Sequence, residues 1–180
     1  MKYIKKFENI EPEKSIEYYD NGNIKSISYK LNGKFHRIDG PAYQEWYDNG
    51  QLKDEEYLIN GKYHRIDGPA VKEWNKNGQV IEISYYIDNI FHKEDGPAFQ
   101  GWYYNNGEKW HMFYFINGDR HREDGPAFQE WYENGQIKEE AYYLNNVDYY
   151  RKDWVEKLKE MNSPYYKEQK MLYEIDKYNL

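Results

Sequence analysis

From Ile16 to Asn146, polar and apolar residues alternate in short runs, and Asn-Gly or Asp-Gly breaks the runs apart. Alternation with a period of two marks a strand whose two faces meet different surroundings. Asn-Gly between two such runs marks a tight hairpin turn, because both residues tolerate φ > 0. Twelve of the thirteen glycines follow Asn or Asp, so turn signals punctuate the whole region. The clearest stretch runs from Pro41 to Asp48, turns at Asn49-Gly50, and returns from Gln51 to Ile59. Asn60-Gly61 then turns again, and Lys62 to Gly68 leads into the next strand at Pro69. A two-residue turn fixes register. It predicts Trp46 opposite Lys53, Gln44 opposite Glu55 and Ala42 opposite Tyr57 on one face. On the other face it pairs Tyr47 with Leu52, Glu45 with Asp54, and Tyr43 with Glu56.

The pattern recurs four times: NGKFHRIDGPAYQEWYDNGQ from Asn32, NGKYHRIDGPAVKEWNKNGQ from Asn60, DNIFHKEDGPAFQGWYYNNGE from Asp88 and NGDRHREDGPAFQEWYENGQ from Asn117. A fixed period of this size marks a stack of units, each burying its apolar groups against the next. The third unit has an extra residue at Asn105. A three-residue loop there would keep Trp102 opposite Trp110 and Ala98 opposite Tyr114. On the first face Ala42, Ala70, Ala98 and Ala127 oppose Tyr57, Tyr85, Tyr114 and Tyr142, with Trp46, Trp74, Trp102 and Trp131 beside them. Small against large is how facing positions interlock, so this face reads as structural. The second face varies more. Its rows are Tyr43, Val71, Phe99 and Phe128; then Tyr47, Asn75, Tyr103 and Tyr132; then Leu58, Tyr86, Phe115 and Tyr143. Such a face is either a contact surface or the other half of the core. As a contact surface, its candidate residues are Tyr43, Tyr47, Phe99, Tyr103, Phe128 and Tyr132.

The ends depart from the period. Residues Ile16 to Leu31 read as a degenerate first unit, with Tyr18 at the tryptophan position and Tyr29 at the tyrosine position. After Asn146 the spacing becomes helical. Trp154, Val155, Leu158 and Met161 form one stripe; Ser163-Pro164 is a helix start; Met171, Leu172, Ile175 and Tyr178 form a second stripe. These helices are expected to close an open sheet edge. The expected fold is therefore mainly β: an elongated single-layer antiparallel sheet of β-hairpin repeats with a C-terminal α-helical cap. Its parts are an N-terminal segment over 1–15, repeats over 16–146 and the cap over 147–180. The first unit spans 16–31, and full units begin near 32, 60, 88 and 117. About ten strands at ~4.8 Å each give a sheet ~45 Å long, which must twist, curl or pair because single layers are poorly stable.

The formal net charge is -7, with both signs interleaved. This argues against nucleic acid and anionic membrane as partners, since both call for a basic patch. It leaves a protein partner, or a second copy of the chain. There are no cysteines, which removes disulfides, thiolate catalysis and cysteine zinc sites. The first residues, MKYIKKFENIEPEK, hold no apolar run of signal-peptide type, and the reading places the protein in the cytoplasm, or in a host cytoplasm for a viral source. The basic clusters Lys2 to Lys6 and Arg151-Lys152 read as solvated.

The motif that invites chemistry is HRxDGP, with His36 and Asp39, His64 and Asp67, His92 and Asp95, His121 and Asp124. Equivalent residues of adjacent units lie two strands apart, ~9.6 Å, too far to share a metal held at ~2.0–2.2 Å. These residues read as structural repeat positions. Aspartate is expected to accept backbone N–H groups in the turn, and histidine to donate to a carbonyl. No catalytic, cofactor-binding or metal site is expected, and no enzyme. His111, the one histidine outside the motif, stands where other units have Asp54, Glu82 and Glu139.

The turns at Asn32, Asn60 and Asn117, the histidines after them and Gly40, Gly68, Gly96 and Gly125 resemble the MORN repeat. They look closer still to the variant MORN-like repeats of bacterial YwqK-type antitoxin proteins and of giant DNA virus and phage proteins. The resemblance covers Ile16 to Asn146, with a 28-residue period longer than that of MORN, an inserted Asp and a following Pro-Ala. It implies an elongated antiparallel sheet used for protein contacts. The expected role is a non-enzymatic protein-interaction scaffold able to self-associate. The alternative is an antitoxin or immunity-type protein that covers and neutralises its partner.

Overall fold

The computed structural model describes residues 11–178. Lys2 to Lys6 and the first ten residues of the expected N-terminal segment lie outside the described residues. In chain order the strands begin with β1 (Glu13–Tyr18), β2 (Ile24–Leu31) and β3 (Lys34–Phe35). The next unit holds β4 (Tyr43–Trp46), β5 (Leu52–Glu56), β6 (Leu58–Ile59) and β7 (Lys62–Tyr63). The following one holds β8 (Val71–Trp74), β9 (Val80–Ser84), β10 (Tyr86–Ile87) and β11 (Ile90–Phe91). Then come β12 (Phe99–Trp102), β13 (Lys109–Phe113), β14 (Phe115–Ile116) and β15 (Asp119–Arg120). Last are β16 (Phe128–Trp131), β17 (Ile137–Leu144) and β18 (Val147–Tyr149), followed by α1 (Arg151–Glu160) and α2 (Tyr166–Tyr178). The fold is mainly β, 42% strand, with a long antiparallel meander and two C-terminal helices.

The main sheet runs β1-β2-β4-β5-β8-β9-β12-β13-β16-β17-β18. Eleven strands in line extend ~48 Å. Each unit is two hairpins set end to end. The long hairpin belongs to the main sheet, and the short one (β6–β7, β10–β11, β14–β15) forms a ladder of its own. The chain changes partners at one tyrosine. Tyr57 N–H donates to Ala70 O of the next unit at 2.7 Å, whereas Tyr57 O accepts from His64 of its own short hairpin at 3.0 Å. Tyr29, Tyr85 and Tyr114 do the same. The short hairpins are also joined to one another: Arg65 N–H reaches Tyr86 O and Asn89 N–H reaches Tyr63 O. Lys62 to Gly68 is thus a strand plus a loop rather than a plain connection.

The two turns of a unit differ, and this corrects the expected register. Asn60 and Gly61 both have φ > 0 (53° and 79°), as a two-residue hairpin turn requires. At Asn49-Gly50 only Gly50 is left-handed (φ 84°), Tyr47 N–H donates to Gln51 O, and Gly50 N–H donates to Tyr47 O. This is a three-residue loop, Asp48-Asn49-Gly50, closed by a glycine bulge. Pairing holds as predicted for Tyr43–Glu56, Gln44–Glu55 and Glu45–Asp54, then shifts so that Trp46 faces Leu52, not Lys53. Lys53 turns to the other face, where its Nζ lies 2.9 Å from Glu45 Oε1. In the third unit the same shift sets Trp102 against Lys109 instead of Trp110.

The apolar core is small and lies at the C-terminal end, where Trp154, Val155 and Leu158 of α1 pack on Tyr142 and Leu144 of β17. Sheet pairing continues past Asn146 to Tyr149 before α1 begins. Met161 faces out, and the stripe Met171, Leu172, Ile175 and Tyr178 is exposed. The helix instead presents Tyr166 and Tyr173 to the core and buries Gln169, whose Nε2 donates to Asp124 O at 3.0 Å. Ser163 Oγ accepts from Tyr165 N–H at 3.2 Å, and Pro164 lies two residues before the helix rather than at its first position.

Candidate functional site

The HRxDGP segments form one repeated wedge. Arg37 lays its guanidinium 4.2 Å from the centre of the Tyr29 ring, its Nε donates to Asp39 at 2.8 Å, and its Nη1 reaches Pro41 O at 3.4 Å. Arg65 on Tyr57 and Arg122 on Tyr114 repeat this at 3.8 and 3.9 Å. In the third unit Lys93 covers Tyr85 at 4.1 Å. Glycine follows because a Cβ at Gly40, Gly68 or Gly125 would stand 2.9 Å from the guanidinium carbon. The guanidinium holds Asp39 and Asp67 below the usual carboxylate range, mainly by direct hydrogen bonding. Asp39, Asp67 and Asp124 therefore accept from arginine. Histidine meets the turn of the next unit, with Nδ1 of His36 and His121 3.0 and 2.8 Å from Oδ1 of Asn60 and Asn145. Nδ1 of His36, His92 and His121 accepts from N–H of Asn60, Asn117 and Asn145 in the next unit's turn, at 3.1, 3.1 and 3.2 Å. His64 meets Asp88 there, Nδ1 to Oδ1 3.0 Å. Each histidine braces one unit against the next. Among the described residues no cluster of His, Asp or Glu is placed to hold a metal ion.

The opposite side of the sheet carries the unusual chemistry. Register sets Glu45, Asp54, Glu73 and Glu82 directly opposite one another on four successive strands. Like charges facing across strands are destabilising. Glu56 lies one position along from Asp54, and Tyr63 Oη donates to it at 3.1 Å. Burial, then the charges of Glu56, Glu73 and Glu45, push Asp54 up to about 8. Burial also raises Glu56, and burial with Glu82 raises Glu73. Asp54 Oδ1 is shut off from solvent without a hydrogen-bond partner. Lys53 on Glu45 supplies cationic relief at one end of the row.

Farther along, the same row reads Gly101, His111, Glu130 and Glu139. Here the chemistry turns aromatic. Phe113 stacks on Phe128 with ring centres 4.7 Å apart, Phe99 meets Phe113 edge-on at 5.7 Å, and Phe91 stacks on Phe115 at 5.2 Å. Gly101 leaves room for these rings, since a Cβ would sit 3.3 Å from both Phe99 and Trp110. His111 Nε2 lies 3.4 Å from Glu130, which Lys138 also holds at 2.6 Å. Trp110, turned onto this side by the register shift, is 41% exposed and lies against His111 at 4.0 Å.

The six expected contact residues all fall on this side, with unequal freedom. Tyr47 and Tyr103 donate their hydroxyls to Trp74 O and Trp131 O of the following unit, at 2.9 and 2.8 Å. Tyr43 packs edge-on against Phe35, while Phe99 and Phe128 belong to the aromatic stack. Tyr132 is half exposed. Alternation alone does not mark Trp110 or the carboxylate row as site features, although the pairing of Glu45 with Asp54 signals the row.

A family model described as a MORN repeat variant matches residues 14–31, 42–60 and 127–145. The chain carries MORN-like repeats at these three places. Each match spans one long hairpin, β1–β2, β4–β5 or β16–β17. No curated protein and no solved structure matches the chain. MORN repeats are non-catalytic modules generally associated with binding proteins or membranes. Among the described residues no helix is long and apolar enough to cross a membrane.

Proposed function

We propose that this MORN-like protein is a non-enzymatic protein-binding module, and that its contact surface is the side of the sheet bearing Tyr43, Tyr47, Phe99, Tyr103, Phe128 and Tyr132. The observation that carries the reading is Trp110. It stands 41% exposed beside Tyr103 and His111. Large aromatic rings left open among part-buried ones are the usual anchors of protein contacts. The formal net charge of -7 favours a partner whose matching surface is basic. An immunity-type role is the special case in which that partner is a toxic neighbour captured one to one.

The test is affinity capture from the source cell with wild type and with Trp110→Ala/Tyr132→Ala. A stoichiometric protein held by wild type and lost by the variant, at unchanged circular dichroism, supports the surface. Equal recovery by both rules it out.

A further inference from the structure

The two ends of the sheet are unlike. At the C-terminal end β17 is followed by β18, and α1 packs on both. At the other end β1 pairs only with β2 among the described residues, and all six of its residues are exposed. The direction of its backbone groups follows from the ladder. Tyr29 N–H donates to Ala42 O, so the odd-numbered residues of β2 bond toward β4 and the even-numbered ones toward β1. Ser26 and Ser28 face Glu17 and Ser15. The N–H and C=O of Lys14, Ile16 and Tyr18 therefore point away from the sheet. Unpaired strand edges of this kind are templates for further pairing.

We infer that a second copy of this chain occupies this edge, its β1 antiparallel to the first across a two-fold axis at Ile16. Charge selects that register. Two-fold pairing centred on Lys14 sets lysine against itself. Centring on Ser15 sets Glu13 against Glu17, and centring on Glu17 sets that carboxylate against its copy. Centring on Ile16 brings Ile16 onto Ile16, Ser15 onto Glu17 and Lys14 onto Tyr18, with no like charges opposed. Because β18 and α1 close the far end, association stops at two chains, in an isologous dimer with one continuous sheet. The inference is independent of the partner surface proposed above, which lies on a face and not at the edge.

Light scattering of the full chain reads the result directly. The expected mass is twice 22.1 kDa for wild type. Ile16→Lys places two ammonium groups on the axis and keeps every backbone donor. Ile16→Pro removes one N–H that points outward, a position edge strands tolerate. Both variants should run as single chains of 22.1 kDa with unchanged far-ultraviolet circular dichroism. A wild-type protein that stays single at high micromolar concentration overturns the inference. So does a dimer that survives Ile16→Lys, or a mass that keeps growing with concentration. If Ile16→Pro loses its fold, Ile16→Lys decides alone.

Discussion

Asp54 gives a quantitative test of the carboxylate row. Its Oδ1 has no hydrogen-bond partner. Glu45 and Glu73 face it from the neighbouring strands. Burial and these like charges push its carboxyl from 3.8 to about 8. The folded chain thus keeps a proton that the unfolded chain gives up near 3.8. Below about pH 4 both states are protonated, and the group does not affect stability. As pH rises toward 8 the unfolded state gains from ionisation while the folded state does not, so stability falls; above about 8 the loss is complete. A shift of about 4 units corresponds to at most ~6 kcal/mol. Water reaching the part-open side chain and relaxation of the row reduce this to an expected ~1–2 kcal/mol. Asp54→Asn keeps the shape, removes the charge and supplies an amide that can donate to Glu56. The variant should match wild type near pH 4 and gain ~1–2 kcal/mol by about pH 8, a rise in Tm of roughly 2–8 °C for a chain of this size. Thermal and urea unfolding followed by tryptophan fluorescence across that range measures it. A variant less stable than wild type at the alkaline end refutes the reasoning. A difference that does not change with pH refutes it equally.

Two further substitutions probe the wedge and the bridges between units. Gly68→Ala puts a Cβ 2.9 Å from Arg65 Cζ, so the guanidinium must shift from its place on the Tyr57 ring. We expect a loss of ~1–3 kcal/mol by urea unfolding, and a much smaller one in an Arg65→Ala background; simple additivity would contradict the wedge. Tyr47→Phe deletes the hydroxyl that donates to Trp74 O. It should lose ~0.5–1.5 kcal/mol, while Tyr132→Phe, at a half-exposed ring with no repeat beyond it, should change stability by less than ~0.5 kcal/mol. Equal losses at the two tyrosines would dismiss the bridge.

Much of this architecture is written in the period. The alternation placed Glu45 against Asp54 and Tyr43 against Glu56, and both pairs stand in the sheet. The same signal could not separate two loops that share Asn-Gly. Asn49 Oδ1 accepts from Gln51 N–H at 3.1 Å, which favours the longer loop at Gly50, while Asn60 adopts φ 53° itself. The difference lies in what packs around the turn, and local sequence does not carry it. The roles of histidine and aspartate were illegible for a related reason. Each acts through a residue two positions or one whole repeat away, and only the stacked geometry reveals Arg37 beneath Gly40 or Asn60 beside His36. In α2 the apolar stripe was visible but its direction was not. The core at that end accepts Tyr166 and Tyr173, and Asp124 O draws Gln169 inward, so Met171 and Ile175 face outward.

The side-chain bridges between units have a direction. Tyr19 reaches Trp46 O, Tyr47 reaches Trp74 O and Tyr103 reaches Trp131 O, each from an earlier unit to a later one. A stack built this way needs a different solution at each end. At the C-terminal end no further repeat offers the Tyr132 hydroxyl a carbonyl, and the helices bond the last HRxDGP loop instead: Trp154 Nε1 donates to Arg122 O at 3.2 Å and Gln169 Nε2 to Asp124 O at 3.0 Å. Trp154 also packs its fully buried ring on Tyr142, so backbone satisfaction and apolar burial are met by one element. No such element stands against β1 among the described residues. A strand edge has only backbone groups to offer, and another strand satisfies all of them at once. One end closed by side chains and one end open through backbone is an arrangement in which repeats stop growing within the chain yet can continue across two chains. The contact surface proposed above lies on a face of the sheet and not at that edge, so pairing through β1 would leave it free.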